Sequence, residues 1–451
     1  MRPAESFSLQ LDCGPRPSRP AKPFSRRSAK AFSEVSFERL WVWEVGEVSE
    51  RLRWYYMVAT NQRPAKYLIC RRVPVEPFEV MTYEELWSAH RKASAEFQKV
   101  FAEIKEGKLR LRDLEEANPS LMDLKVEIVR RMLRSCVFCR WRCRVDRTAG
   151  GKLGTCMLAR TSKVSTYFHH LGEELPIRGT MGSGTIFFTS CNMRCGFCQN
   201  GDISKDKDNG LDVTPELLAK MMWELRAEGC HNVNLVGGEP TIHLHTIVEA
   251  ISLLGKVRPT PRDLQYMWLM KPDYLRWRRL PEERYTVDGQ FNVPILWNSN
   301  MFMSSETLEI LRELVDIWLP DFKFGSNKCA IRLARTPWYW ETVTENHKKI
   351  YEWGEDIVVR HLVMPNHVEC CTKPVLRWIA ENMPGTLVNV MDQYHPDCFA
   401  DPRSPEFDPR LSDIARYPTR EEIEEAYRFA EELGIPYEVI SLEKKGFLLG
   451  F

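Results

Sequence analysis

From Thr185 to the C-terminus, short apolar runs alternate with longer stretches whose apolar residues recur every three or four positions. The runs at 186–188, 232–236, 294–297, 317–323, 356–362 and 386–391 read as buried strands, being short, rich in aliphatic and aromatic residues and followed by polar or glycine-bearing turns. Helices are expected over 214–228, 244–254, 304–314, 338–353 and 373–382. Their start and stop signals agree: Pro215 stands in a first-turn position with Gly229 at the far end. Thr419-Arg-Glu-Glu422 has the form of a capping box for a last helix that stops at Gly434, and a final strand is expected over 437–441. Strand and helix in alternation imply a parallel sheet with crossover helices. About six or seven such units suit a partial β/α barrel, in which the chemistry lies at the carboxyl ends of the strands.

Upstream the pattern changes. Residues 37–75 mix aromatic and β-branched residues with charges and read as a few short strands. Thr82-Tyr-Glu-Glu85 resembles a capping box for a helix ending near Glu106, and a second helix starts near Ser120 with Leu121, Leu124, Ile128 and Met132 on one face. Residues 1–35, rich in Arg, Pro and Ser without apolar period, read as a disordered basic tail, and 36–135 as an N-terminal α+β extension, partly helical. Within the α/β region, 257–291 interrupts the alternation and reads as an insertion, either a lid or partner surface or a surface decoration. The N-terminal helices or this insertion are expected to cover the barrel mouth.

Composition narrows the class. With 43% hydrophobic and 28% charged residues in 451, the chain can bury a large core. No apolar run approaches a membrane span, and no signal-peptide core follows the start. A net charge of +1 argues against a global electrostatic grip on nucleic acid. The fourteen cysteines concentrate in two short loops, which points to metal ligation in a reducing compartment and hence to the cytoplasm.

The first loop follows the run 186–188 and carries Cys191, Cys195 and Cys198. Three thiolates at CxxxCxxC spacing can hold three corners of a cubane iron–sulfur cluster and leave one iron open to another ligand. A closed zinc site needs four ligands, and this loop supplies three. The run 232–236 enters Gly237-Gly238-Glu239-Pro240, where glycines admit a close backbone approach and Glu239 can accept from an ammonium group. The remaining strand ends bring Asn298, Asp321 with Lys323, Arg360 with His361, and Gln393, Tyr394 and His395 to the same face. The second loop carries Cys136, Cys139, Cys143 and Cys156, with Gly150, Gly151 and Gly154 letting it fold back on itself. Its four thiolates can close a zinc site or hold a second iron–sulfur cluster. The flanking Arg140, Arg142, Arg144 and Arg147 can offset thiolate charge, the preferred reading, or touch nucleic acid.

The CxxxCxxC loop with Phe197 before its last cysteine resembles that of the radical S-adenosylmethionine (SAM) superfamily, and Gly237 to Pro240 looks like that superfamily's GGEP element. The resemblance implies a [4Fe-4S] cluster on Cys191, Cys195 and Cys198, with SAM on the open iron and the methionine amino group beside the GGEP element. It further implies a partial (β/α)6-type TIM barrel fold, one-electron cleavage of SAM to a 5'-deoxyadenosyl radical, and a low-potential donor of the flavodoxin or ferredoxin type. The segments VDRTAGGKLGTC, HHLGEELPIRGTMGSGTIFFTSCNMRCGFCQN, WLPDFKF and NVMDQYHP resemble the stand-alone iron–sulfur proteins described as similar to pyruvate formate-lyase activating enzyme. The DFK at Asp321 to Lys323 looks like the DxK element that activating enzymes place near SAM. Unlike theirs, the extra cysteine loop here precedes the CxxxCxxC loop. Three functions follow: a radical enzyme acting on a protein or peptide, one acting on a small metabolite, lipid or nucleoside, and a non-catalytic iron–sulfur or zinc protein that binds nucleic acid.

Overall fold

The computed structural model describes residues 46–272 and 277–441, so the tail expected over 1–35 and the first of the strands expected over 37–75 lie outside it. Its strands are β1 Ser162–His170, β2 Ser183–Phe188, β3 Leu211–Val213, β4 Val233–Gly237, β5 Thr286–Val287, β6 Gln290–Phe291, β7 Ile295–Ser299, β8 Ile317–Pro320, β9 Val358–Leu362 and β10 Leu387–Met391. Strands β2, β4, β7 and β8 are parallel neighbours in that order. Parallel bridges Trp318↔Ile357 and Asp321↔Arg360 continue the curve from β8 into β9, which pairs in parallel with β10. These form the parallel arc of a partial β/α barrel. The expectation had no strand at β1, which adds to β2 antiparallel and carries the short β3 on its far side.

Alternate residues of a strand face the same side. Leu296 and Asn298 on β7, Val358 and Arg360 on β9, and Leu387 and Asn389 on β10 therefore stand in layers, apolar toward the amino ends and polar toward the carboxyl ends. One buried apolar cluster joins Leu296, Ile317, Leu319, Val358 and Leu387 to Val48, Leu52, Tyr55 and Ala59 of the N-terminal segment and to Leu175 and Ile177. Burying each such side chain contributes about 1.5–3 kcal/mol, which is what holds the N-terminal segment in place.

That segment is helical, over Gly46–Arg51, Arg53–Ala59 and Lys66–Cys70, where short strands were expected. Its aromatic and branched residues favour strands in isolation, but Trp54, Tyr55, Val58 and Ala59 recur at helical spacing and pack as one face under the barrel. Asp316 and Asp356, just before β8 and β9, anchor it. Trp54 Nε1–H donates to Asp316 Oδ1 at 2.9 Å and the Tyr55 amide to Asp356 Oδ2 at 2.8 Å. These short helices thus close the amino end of the barrel, while the expected N-terminal helices, Tyr83–Glu106 and Leu121–Arg134, pack at its side, where Arg130 pairs with Glu249 of the helix Leu244–Leu253.

The described residues of the insertion also stay away from the mouth. It forms the helix Pro261–Met267 and a β5–β6 hairpin turned by Asp288 and Gly289, both with positive φ. It packs outside the helix Pro215–Ala227, where the Leu280 amide donates to Ala227 O and Lys271 Nζ to both carboxylate oxygens of Glu228. The last described segment is the short helix Glu438–Ser441 in place of the expected strand. It still occupies the edge of β10, because Ser441 Oγ accepts from the Val390 amide at 2.9 Å and Pro436 O from the Val388 amide at 3.3 Å.

Candidate functional site at the carboxyl end of the barrel

The chain leaves β2 at Phe188, turns through Ser190 at φ 63° and enters the loop of Cys191, Cys195 and Cys198. Gly237 and Gly238 lie against this turn. Gly237 has φ 112°, and a Cβ on Gly238 would run into the Ser190 carbonyl, so only glycine lets the two loops touch. The Gly238 amide donates to Phe188 O at 2.8 Å. Glu239 is buried with every oxygen engaged. Its Oε1 accepts from Thr241 Oγ1 at 2.6 Å and Ser299 Oγ at 2.7 Å, and its Oε2 from the Asn300 amide at 3.0 Å. It therefore braces the Gly-Gly turn against the end of β7.

Cys195 and Cys198 both act electrostatically on Cys191, and donors meet two of the three sulfurs. The Met193 amide donates to Cys191 Sγ at 3.3 Å and Ser204 Oγ to Cys198 Sγ at 3.2 Å. Asn300 Nδ2 lies 3.6 Å from Cys191 Sγ and donates to Asn192 Oδ1 at 2.8 Å. Burial pushes the Cys191 thiol well up, helped by Glu239, Cys195 and Cys198. Burial and Cys198 push Cys195 up to about 12, against the pull of Lys323. Thiols so placed ionise when a bound metal supplies positive charge.

Below the sulfurs lies a polar layer. Arg360 Nη2–H donates to Asn298 Oδ1 at 3.1 Å, while its guanidinium lies 3.4 Å from Glu173 Oε2 and 3.5 Å from Asp321 Oδ1. Burial disfavours its charge, but Glu174, Glu173 and Asp321 outweigh that and raise its pKa. Lys323 pairs with Asp321 and is likewise raised despite burial, by Asp321 and Cys195. Asn298 Nδ2 is buried without a partner among the described residues. Such an orphaned donor is costly unless a ligand satisfies it.

Other expected strand-end residues divide. His361 points away from the barrel interior, with a ring N–H donating to Phe322 O at 2.7 Å, and burial lowers its pKa to about 4. Gln393 accepts through its backbone carbonyl from Gln199 Nε2 at 3.4 Å. Tyr394 is buried against Phe197 and donates to Ile414 O at 2.6 Å. His395 is half-exposed and pairs with Asp397 at 2.9 Å. The sequence reading missed Glu173, Asn192 and Asn300. Asn300 stood in the Asn-Ser-Asn run after β7 and could have been found there, whereas Glu173 arrives from a segment outside the strands.

Cys136, Cys139, Cys143 and Cys156 form a loop beside the first, and Cys139 is influenced by each of the other three. Two residues that turn it, Arg142 and Arg144, have positive φ. Three hydrogen bonds tie the two cysteine loops together. Ser190 Oγ donates to Cys156 O at 2.6 Å, Trp141 Nε1–H to Asn192 O at 2.7 Å, and Arg194 to Thr155 O. The basic flank is used within the chain: Arg147 is buried, donating to Ile242 O and Ala159 O, and Arg142 pairs with Glu306. The cysteines are not confined to two loops, however. Cys329, Cys370 and Cys371 meet His367 in a third group, assembled from separated segments.

A family model described as the Radical SAM superfamily matches residues 185–379, which hold both the CxxxCxxC loop and the Gly-Gly-Glu-Pro turn. The chain is 36% identical over 387 residues to an uncharacterised protein of Methanocaldococcus jannaschii, covering 84% of this chain and 97% of that one. Among solved structures, a domain of pyruvate-formate lyase-activating enzyme from Bacteroides vulgatus aligns with 32% of this chain and 80% of its own at 13% identity, with a TM-score of 0.25. Streptococcus suis SuiB bound to precursor peptide SuiA aligns with 55% of this chain and 46% of its own at 12% identity and a TM-score of 0.34.

Proposed function

The chain belongs to the radical SAM superfamily, and from that premise we propose that it is a SAM-dependent radical enzyme that abstracts hydrogen from a protein or peptide segment. Cys191, Cys195 and Cys198 would hold a [4Fe-4S] cluster, and Gly237, Gly238, Asn298, Asp321, Lys323 and Arg360 would surround SAM. When bound, that pair supplies the electron and the sulfonium whose cleavage yields the abstracting 5'-deoxyadenosyl radical. The residues fit the group in three respects: a loop of three thiols, two of them met by donors, a turn that only glycine permits, and the orphaned Asn298 Nδ2. The observation that carries the reading is the first of these, since the loop offers three protein ligands and not four.

The roles of the surrounding side chains follow from their partners. Glu239 holds the Gly-Gly turn chiefly through Oε1, and its Oε2, which accepts from the Asn300 amide, keeps a lone pair for an ammonium group beside the backbone of Gly237 and Gly238. Arg360 and Asp321 lie 3.5 Å apart and orient one another, and Asn298 Nδ2 is left to donate to a ligand. Cys136, Cys139, Cys143 and Cys156 would hold a second metal centre, iron–sulfur or zinc. Electrons would come from a flavodoxin- or ferredoxin-type donor. A protein or peptide substrate is supported by the resemblance of Asp321-Phe322-Lys323 and its neighbouring segments to the activating enzymes, which act on a partner protein.

The substrate class is tested by deuterium transfer. Extract from cells grown on deuterated amino acids is split by ultrafiltration, and each fraction is incubated with reconstituted, reduced enzyme and SAM. Deuterium in 5'-deoxyadenosine from the macromolecular fraction is expected; transfer from the filtrate alone assigns a small-molecule substrate instead.

A further inference from the structure

Cys329, His367, Cys370 and Cys371 take no part in the site at the barrel mouth, yet their four ligand atoms lie within 4.8 Å of one another. His367 Nδ1 is 3.2 Å from Cys370 Sγ and 3.4 Å from Cys371 Sγ. Tetrahedral zinc with bonds of about 2.0–2.3 Å sets its ligands roughly 3.3–3.8 Å apart, so these separations fit one ion, whereas a cubane spreads its thiolates over separate irons. Three thiolates and one imidazole are a donor set that favours zinc over harder cations.

The surroundings are those of a held ligand set. With His367 Nδ1 turned to the sulfurs, Nε2–H faces Asp413 Oδ2 at 3.2 Å, the carboxylate–histidine arrangement that orients metal-bound imidazoles. Arg332 is bidentate to Asp413 at 2.9 and 2.6 Å and offsets thiolate charge; its Nη2, 2.7 Å from the same Nε2, can only donate and must draw back toward Asp413 once Nδ1 holds an ion and Nε2 carries the proton. Cys370 and Cys371 sit in the π-helical turn Val368–Thr372, a geometry that recurs at functional sites. Gly325 lets this turn approach the chain after β8: a Cβ there would strike Cys370 O and come within 2.9 Å of Cys371 Cα.

We propose that Cys329, His367, Cys370 and Cys371 bind a single zinc ion that fixes the helix Asn327–Ala334 and, through it, the CxxxCxxC loop. Cys329 lies in the first turn of that helix, where Ser326 Oγ accepts from its amide at 3.3 Å. The other end holds the loop directly, because Leu333 O accepts from the Gly196 amide at 2.8 Å and Ala334 O from the Arg194 amide at 3.0 Å. Leu411, packed on Gly196 and near Asp413, completes the link. An ion joining this helix to the turn after β9 stiffens the scaffold beneath Cys195 without touching the chemistry. Zinc binding here stands whether or not the radical reading does.

The test is zinc content per chain, by mass spectrometry, in full-length wild type and in Cys329→Ser and Cys370→Ser. Cys370 is exposed, so its replacement leaves packing alone. Each variant is expected to carry about one zinc equivalent less than wild type, whatever the four-cysteine loop holds; equal zinc in all three proteins overturns the site. Hydrogen exchange of wild type before and after zinc chelation tests the second half of the proposal. Faster exchange at Arg194 and Gly196 is expected, and unchanged exchange there overturns the link to the loop.

Discussion

At the residue scale, backbone clearance and buried charge set the sharpest constraints. Gly238 is the tightest point, where one added methyl would collide with the Ser190 carbonyl and push the cysteine loop off the Gly-Gly turn. Gly238→Ala is therefore expected to fold but to lose most of the iron that wild type binds after anaerobic reconstitution, as measured by iron and sulfide content. A second constraint is the pair of acids beneath the barrel. Burial pushes Asp356 up to about 7 and Asp316 up to about 6, against the amides that donate to them. For an acid whose folded pKa lies above its unfolded value near about 4, the folded state binds more protons in the interval between them, so stability falls as pH rises through it. Glu313 has the opposite sign: although buried, it is held down to about 2 chiefly by Lys125 and His90, and its contribution is lost only below about pH 4.5. Asp356→Asn should consequently flatten the loss of stability between about pH 5 and 7, compared by urea midpoints at the two values.

At the element scale, the parallel strands and most of the helices of the barrel were legible because period and cap agreed there. The helix Lys373–Asn382 has the bounds that the sequence pattern predicts, and Thr82 and Thr419 form the capping boxes their spacing suggests. The failures have a shared physical cause, which is that tertiary partners decided the structure. Residues 46–70 look strand-like from their aromatic content and are helical because a helix matches the underside of the barrel. The helix Asn327–Ala334 was missed altogether, being short, and so was Cys329 within it. The Cys191 loop could be read from three cysteines in one short segment, whereas Cys329 and His367 meet only after folding. Leu52 is fully buried in the cluster that closes the amino end of the barrel. Leu52→Ala should lower unfolding stability by about 2–5 kcal/mol while leaving SAM binding intact, because the cavity it creates lies at the opposite end from the cysteines.

At the scale of the whole molecule, the two ends of the arc divide the work. The amino end is closed by the short N-terminal helices, and the carboxyl end gathers two cysteine loops bound to each other through Ser190, Asn192 and Arg194. No helix among the described residues is long and apolar enough to cross a membrane. The account rests on the loop of Cys191, Cys195 and Cys198 being the centre at which SAM is cleaved, with the neighbouring four-cysteine loop auxiliary to it. The direct measurement is 5'-deoxyadenosine formed from SAM by the anaerobically reconstituted, dithionite-reduced protein, compared among wild type, Cys191→Ala and Cys136→Ala. The account predicts product from wild type, none from Cys191→Ala and a measurable remainder from Cys136→Ala; full cleavage by Cys191→Ala would contradict it.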